Sequence, residues 1–229
     1  MKRAVDLVMA VPGLILAAPL IALAAVAIKL DSRGSVFYRG SRVGRDGHEF
    51  RIVKLRSMVA GAENAGSAVT SAGDPRITRV GRFLRRTKLD EVPQLWNVIR
   101  GDMSLVGPRP EHPEYVRLYT PEQRRVLSVR PGITSSTSLT FHDEERILAE
   151  HGGASAYVDV MLPRKLALDL QYVEHHSVGG DVRILGQTFV FAVSRWFGHP
   201  SPPRQGGAPG TGSARPGAGG GSSPSKKDG

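Results

Sequence analysis

The sequence predicts an α-rich α/β fold with a small β-hairpin, carried behind one apolar N-terminal helix. Three observations predict it. Leu7 to Ile28 holds no charged residue. Ser35 to Ser57 places two β-prone segments around an Asp46-Gly47 turn. Later stretches repeat apolar residues at helical spacing.

The chain of 229 residues divides by composition into residues 1–30, 31–198 and 199–229. As a helix, the apolar run of the first region would be about 33 Å long, close to the hydrocarbon thickness of a bilayer. Three readings stand side by side. Lys2 and Arg3 with Ala25-Val26-Ala27 resemble a signal peptide and its cleavage site, although the run exceeds the usual apolar core of about 7–15 residues. A straight span is the second reading. The third is a re-entrant hairpin: Pro12 and Pro19 interrupt the run, and a proline removes a helical hydrogen bond and bends the axis. Basic residues flank both ends, namely Lys2 and Arg3 before and Lys29, Arg33, Arg39, Arg42 and Arg45 after. Such flanks favour the cytoplasmic side.

In the second region, Val36 to Tyr38 and Glu49 to Leu55 supply the hairpin strands. Ile77, Val80, Phe83 and Leu84 predict an amphipathic helix whose other face carries Arg79, Arg82, Arg85 and Arg86. Leu95, Trp96, Val98 and Ile99 form a second apolar stripe. Arg164 to Glu174 and Val182 to Trp196 read as further helices. Phe189, Phe191, Trp196 and Phe197 beside Arg183 and Arg195 suit either a membrane interface or an ordinary core. The third region, rich in Gly, Pro and Ser, cannot offset its ordering entropy and is expected to be disordered.

Charge and cysteine count narrow the chemistry. Lys and Arg number 31 against 21 Asp and Glu, a net charge of +10 that suits phosphate-bearing or anionic-lipid partners. The absence of cysteine excludes disulfides and thiolate metal sites.

The densest functional segment runs from Arg76 to Pro110. Adjacent Asp90 and Glu91 follow the arginine-rich helix and sit at a bend made by Val92-Pro93. Consecutive helical side chains diverge by about 100°, so a symmetric dyad is not expected. One carboxylate can hold Mg²⁺ while the other meets the substrate, since magnesium favours one or two carboxylates plus substrate phosphates. Gly107-Pro108-Arg109-Pro110 is a rigid loop carrying one arginine, a side chain suited to bidentate phosphate recognition. Arg85, Arg86 and Lys88 add positive charge, which keeps nearby carboxylates ionised. His142 to Glu145 reads as a helix opening rather than a metal cluster, and His175-His176 lacks a zinc spacing.

The segments KRAVDLVMA, GSVFYRGSRVGRDGHEFRIVKLRSM, DPRITRVGRFLRRTKLDEVPQLWNVIRGDMSLVGPRPE, VRPGIT and KLALDLQYVEHHSVGGDVRIL cover most of residues 2–195. They resemble the monotopic phosphoglycosyl transferases, the bacterial sugar transferase family. The resemblance implies a re-entrant membrane helix, interfacial helices and a cytosolic catalytic domain at the inner membrane. It implies Mg²⁺, a nucleotide diphosphate sugar (usually UDP-linked) and a polyprenyl phosphate acceptor, with UMP released through a covalent aspartyl intermediate. Nucleic acid is not among the partners implied, and homo-oligomer formation is left open. By resemblance Asp90 is the nucleophile and Glu91 its metal-binding partner. Arg85, Arg109, Lys54 and Arg56 are phosphate-binding candidates. Pro19 is the helix-breaking proline, Lys2 and Arg3 an interfacial basic pair, and Asp6 a polar residue inside the helix. Asp169 matches an acidic position without an assigned role.

Two departures stand out. Ala18 replaces the Ser usual before the breaking proline, and Ser135-Ser136 follow VRPGIT where Gly and an apolar residue are common. A reading from another class remains: a non-catalytic basic scaffold anchored to the membrane and binding lipid or nucleic acid.

Overall fold

A computed structural model describes residues 1–62, 65, 70, 73–141, 144 and 157–196. The expected disordered tail, Phe197, and His142, Asp143 and Glu145 lie outside the described residues.

Helix α1 spans Lys2–Asp31 and is continuous through Pro12 and Pro19. The expected break at Pro19 is therefore not a turn between two helices. A proline can stay inside a helix by bending it and giving up one hydrogen bond. The helix is long and apolar enough to cross a membrane, and 11% of its most apolar stretch is buried. Val8, Ile15, Leu16 and Leu23 are exposed along it. Its buried positions are small or near the ends: Asp6, Ala10, Ala24 and Ile28.

Strands β1 (Phe37–Val43) and β2 (Glu49–Leu55) form the expected antiparallel hairpin, with Gly40 opposite Ile52. Asp46 and Gly47 adopt positive φ, 57° and 81°, in the connecting turn. Asn97 closes the free edge of β2: its Oδ1 accepts from Val53 N at 2.9 Å, and its Nδ2 donates to Arg51 O at 2.8 Å. Buried backbone groups need such partners.

Helix α2 (Arg79–Thr87) is followed by a 3-10 turn, Leu89–Gln94, and by α3 (Leu95–Arg100). Strand β3 (Ser104–Val106) pairs in parallel with β4 (Gly132–Thr134). Helices α4 (Pro113–Val116), α5 (Ser136–Thr140), α6 (Leu162–His175) and α7 (Val178–Trp196) follow among the described residues. On α7, Phe189 and Val190 are 70% and 66% exposed, which argues against an ordinary core helix there.

Among the described residues, three apolar clusters hold these elements. Ala10 joins Ile52, Val98, Met103, Leu105 and Val106. Ala24 and Ile28 pack with Leu55 and Leu84. Val43, Tyr115, Val116, Tyr157, Met161 and Leu166 share the third. Helix α1 thus belongs to two cores, which a removable leader does not account for.

Candidate active site

The site begins at the α1–α2 junction. Thr78 caps α2 by accepting from Gly81 N at 2.9 Å, and Asp31 at the end of α1 accepts from Val80 N at 3.0 Å. Both satisfy first-turn donors that no helical carbonyl can reach. Gly81 lies hard against the strand end: a Cβ there would sit 1.9 Å from Ser57 O. At the other end Lys88 takes a left-handed conformation, φ 59°, and its N–H closes on Arg85 and Leu84 carbonyls. The chain reverses there and enters the 3-10 turn that carries Asp90 and Glu91.

Glu91 Oε1 accepts from Arg109 Nη2 at 2.6 Å and from Lys54 Nζ at 2.9 Å. The loop arginine and the strand lysine therefore meet on one oxygen. Burial raises the Glu91 carboxyl, but Arg109 and Lys54 outweigh it and hold the group well below the ordinary carboxylate range. Glu91 in turn pushes the Arg109 guanidinium upward. Burial pulls Lys54 downward, with Glu91 opposing.

Asp90 is the opposite case. It is 6% exposed, and its Oδ1 has no hydrogen-bond partner. Burial and the Glu91 charge raise its carboxyl, against Lys54, Lys88 and Arg85. The expected asymmetry of the pair is present. The cations act unequally on the pair, because Arg109 and Lys54 both contact Glu91.

Both carboxylates open on a cavity of about 960 Å³. The arginines of α2 line it, as do Lys54 and Arg109. Arg85 is steadied by Ser57 Oγ and Thr70 Oγ1, each at 3.2 Å. Phe83, expected on the apolar face of α2, is half exposed and lines this cavity.

Arg56 is not brought to the cavity. It is 7% exposed and donates to Ser32 O at 2.7 Å and Ser32 Oγ at 2.9 Å, closing the C-terminal end of α1. The period-two alternation that would align it with Lys54 stops at Leu55, where the strand ends. Asp169 also lies outside; it is buried on α6 and accepts from Thr137 Oγ1 at 2.7 Å.

Lys2, Arg3 and Asp6 grip the protein itself. Lys2 pairs with Asp181 and donates to Val106 O and Tyr172 Oη, both at 2.9 Å. Arg3 donates to Val98 O and Ile99 O, at 2.5 and 2.9 Å, near the end of α3. Asp6 Oδ1 accepts from Ser104 Oγ and Leu105 N, both at 3.0 Å, on the strand that leads into the Gly107–Pro110 loop.

Another cluster on the cavity escaped the sequence reading. Lys165 Nζ donates to Glu111 Oε1 and Glu144 Oε1, each at 3.2 Å, and to Tyr157 Oη at 3.1 Å. Tyr157 Oη donates to Glu111 Oε1 at 2.5 Å. These residues are far apart in sequence. The available signal was Lys165 itself, a cation sharing the buried face of α6 with Leu162, Leu166 and Asp169.

Among the described residues, no group of three or more His, Cys, Asp or Glu is placed to hold a metal ion. The residues fit a sparser arrangement: adjacent carboxylates, one with an unpartnered oxygen, in a basic cavity wide enough for phosphates.

A family model described as bacterial sugar transferase matches residues 1–195. Over 190 residues the chain is 40% identical to a UDP-glucose:undecaprenyl-phosphate glucose-1-phosphate transferase of Caulobacter vibrioides, covering 82% of this chain and 67% of that relative. A protein of the same description from Escherichia coli is 36% identical over 190 residues, 81% of this chain and 38% of the relative. An exopolysaccharide production protein of Rhizobium leguminosarum is 36% identical over 208 residues, 86% of this chain and 98% of the relative.

Proposed function

The chain belongs to the bacterial sugar transferase family, and from that premise we propose that it moves a sugar 1-phosphate from a UDP-sugar to a polyprenyl phosphate. The observation that carries the proposal is the division of labour between Asp90 and Glu91. One buried carboxylate is locked by two cations, while its neighbour, which lines the same large basic cavity, has a buried oxygen without a hydrogen-bond partner.

The Asp90 carboxylate attacks the sugar-linked phosphorus of the diphosphate. The new O–P bond forms as the bridging O–P bond breaks, and UMP leaves with the electron pair. The acceptor's phosphate oxygen then attacks the same phosphorus, releasing the Asp90 carboxylate and yielding a polyprenyl diphosphate sugar. A carboxylate with little hydrogen bonding is the more basic nucleophile, and splitting the transfer avoids binding two anionic phosphates at once. Arg85 and Arg109 offset charge on the phosphates as they move. Glu91 holds Arg109 and Lys54 in place. A magnesium ion would be held by Glu91 and phosphate oxygens of the substrate. When bound, it would offset developing charge on the leaving phosphate.

The attachment of α1 supports a monotopic arrangement, and the basic flanks Lys2, Arg3, Lys29 and Arg33 favour the cytoplasmic face of the inner membrane. Lys2, Arg3 and Asp6 at one end and Ile28 and Asp31 at the other bind the same catalytic body. A straight span would part those ends by about 30 Å of hydrocarbon. A helix that enters and leaves by one face keeps both contacts and turns its exposed apolar side to lipid. Cysteines placed at both flanks of α1 in this cysteine-free chain test it: labelling of one flank alone by an impermeant reagent in spheroplasts overturns the arrangement.

The scaffold reading is weaker, because a scaffold needs no buried carboxylate with an unpartnered oxygen. The deciding experiment is mass spectrometry of protein mixed with a UDP-sugar and no lipid. A sugar-phosphoryl adduct on Asp90 is expected, and it is absent in Asp90→Asn. Normal turnover by Asp90→Asn, or initial rates that require a ternary complex, rejects the covalent route.

A further inference from the structure

The cavity carries two chemically different walls. Arg79, Arg82, Arg85 and Arg86 of α2 make one, with the half-exposed ring of Phe83. Glu111, Glu144, Tyr157 and Lys165 make the other. Arg109 stands between them. Its side chain bonds Glu91, and its charge is flanked by Glu144 and Glu111. Asp90, by contrast, lies in the field of Lys54, Lys88 and Arg85.

In the second wall two carboxylates share one ammonium, with Arg42 and Arg109 beside them, and carboxylate oxygens only accept hydrogen bonds. The donors of Lys165 are spent on Glu111, Glu144 and Tyr157, so the cluster itself has no ammonium donor left for a phosphate. Uracil has a single N–H donor and does not match it. A pyranose does, since every hydroxyl both donates and accepts. The wall is also fixed in advance. Lys165 is 4% exposed, tied to both carboxylates and to Tyr157, and lies 4.9 Å from the Tyr157 ring centroid. Glu144 is the more open member, with its side chain 27% exposed against 14% for Glu111.

We propose that this wall is the sugar subsite, and that Glu144, held by Lys165 opposite Glu111, reads the hydroxyls of the transferred sugar. The inference rests on the transferase reading. In that reaction the attacked phosphorus lies between sugar and UMP, so a nucleotide laid along the arginines of α2 sends the sugar toward Glu111 and Glu144. The phosphates take the basic wall by charge, and the base can stack on Phe83 and the guanidinium planes beside it.

The test uses the full chain in detergent with polyprenyl phosphate. UMP release is measured over a panel of UDP-sugars that includes the epimers UDP-glucose and UDP-galactose, and UMP is titrated as an inhibitor. Glu144→Gln keeps shape and removes the charged acceptor. Its kcat/KM is expected to fall about tenfold or more, the scale of a lost charge-assisted hydrogen bond. The ratio among sugars should change, while inhibition by UMP, which carries no sugar, stays as in the wild type. Glu144→Asp repeats the test with charge retained should Glu144→Gln not fold. Weaker UMP inhibition in parallel overturns the inference in favour of a uridine wall. An unchanged sugar ratio with normal UMP inhibition overturns it in favour of a purely structural cluster. A wild-type chain that releases UMP from no UDP-sugar rejects the transferase reading itself, an outcome distinct from both.

Discussion

Replacing Asp169 by Asn should stabilise the protein at neutral pH. Asp169 is buried on α6, and burial pushes its carboxyl from the ordinary 3.8 up to about 6, with the Thr137 hydrogen bond opposing. That displacement corresponds to roughly 3 kcal/mol. The folded state holds this proton more tightly than the unfolded chain does. The cost of the ionised group is therefore fully present above about pH 6 and is relieved as pH falls toward 3.8. Asn is neutral throughout and keeps an oxygen for the Thr137 hydroxyl. Its amide N–H groups have to find partners, which subtracts about 1 kcal/mol or more. The net gain near pH 7 is then about 1–2 kcal/mol, and a domain of this size converts each into roughly 2–4 °C of melting temperature. The assay is thermal unfolding in detergent, followed by tryptophan fluorescence, for both proteins from about pH 8 to about pH 4. The two curves should converge on acidification. A variant less stable near pH 7, or a gap that does not depend on pH, refutes the reasoning.

Asp6→Ala strands the buried Ser104 hydroxyl and Leu105 N–H, so a loss of about 1–3 kcal/mol for each unsatisfied group is expected in the same assay. Gly81→Ala drives a Cβ into Ser57 O and should cost well over about 1 kcal/mol, whereas Gly47→Ala meets no atom within 4 Å and bears only the strain of φ 81°, about 1 kcal/mol. Comparable melts for these two alanine variants would contradict the close approach at Gly81. The acid limb of kcat/KM should fall above the ordinary 3.8 of an aspartate, because Asp90 must ionise to attack and its carboxyl is raised. Glu91→Gln removes one cause of that rise and should move the limb to lower pH in the residual activity; a shift upward counts against the assignment.

Features governed by neighbours in sequence were legible in the chain. The Asp46-Gly47 turn sets the hairpin register, and the Arg76–Pro110 motif marks the carboxylates. Arg56, a phosphate-binding candidate by resemblance alone, turns to the end of α1 because strand alternation lapses one residue before it. Phe83 obeys helical spacing, yet faces a cavity that no local pattern announces. Glu111, Tyr157 and Lys165 meet across 46 to 54 residues of chain, and only the fold brings them together. The different fates of Asp90 and Glu91 turn on which of them Arg109 and Lys54 touch, a matter of distances that residue types do not encode.

The grip on both ends of α1 also bears on how the chain is made. Asp6 waits 98 residues for Ser104, and Lys2 waits 179 for Asp181. At about 5–20 residues per second, roughly 10 to 40 s separate the synthesis of Lys2 from that of its acidic partner. Ile28 can meet Leu55 and Leu84, and Ala10 can meet Ile52 and Val98, well before Asp181 is made, whereas Val8, Ile15, Leu16 and Leu23 stay exposed even in the finished fold. In the proposed monotopic arrangement the bilayer would shelter that exposed side first, and the last anchor would close only when α7 emerges.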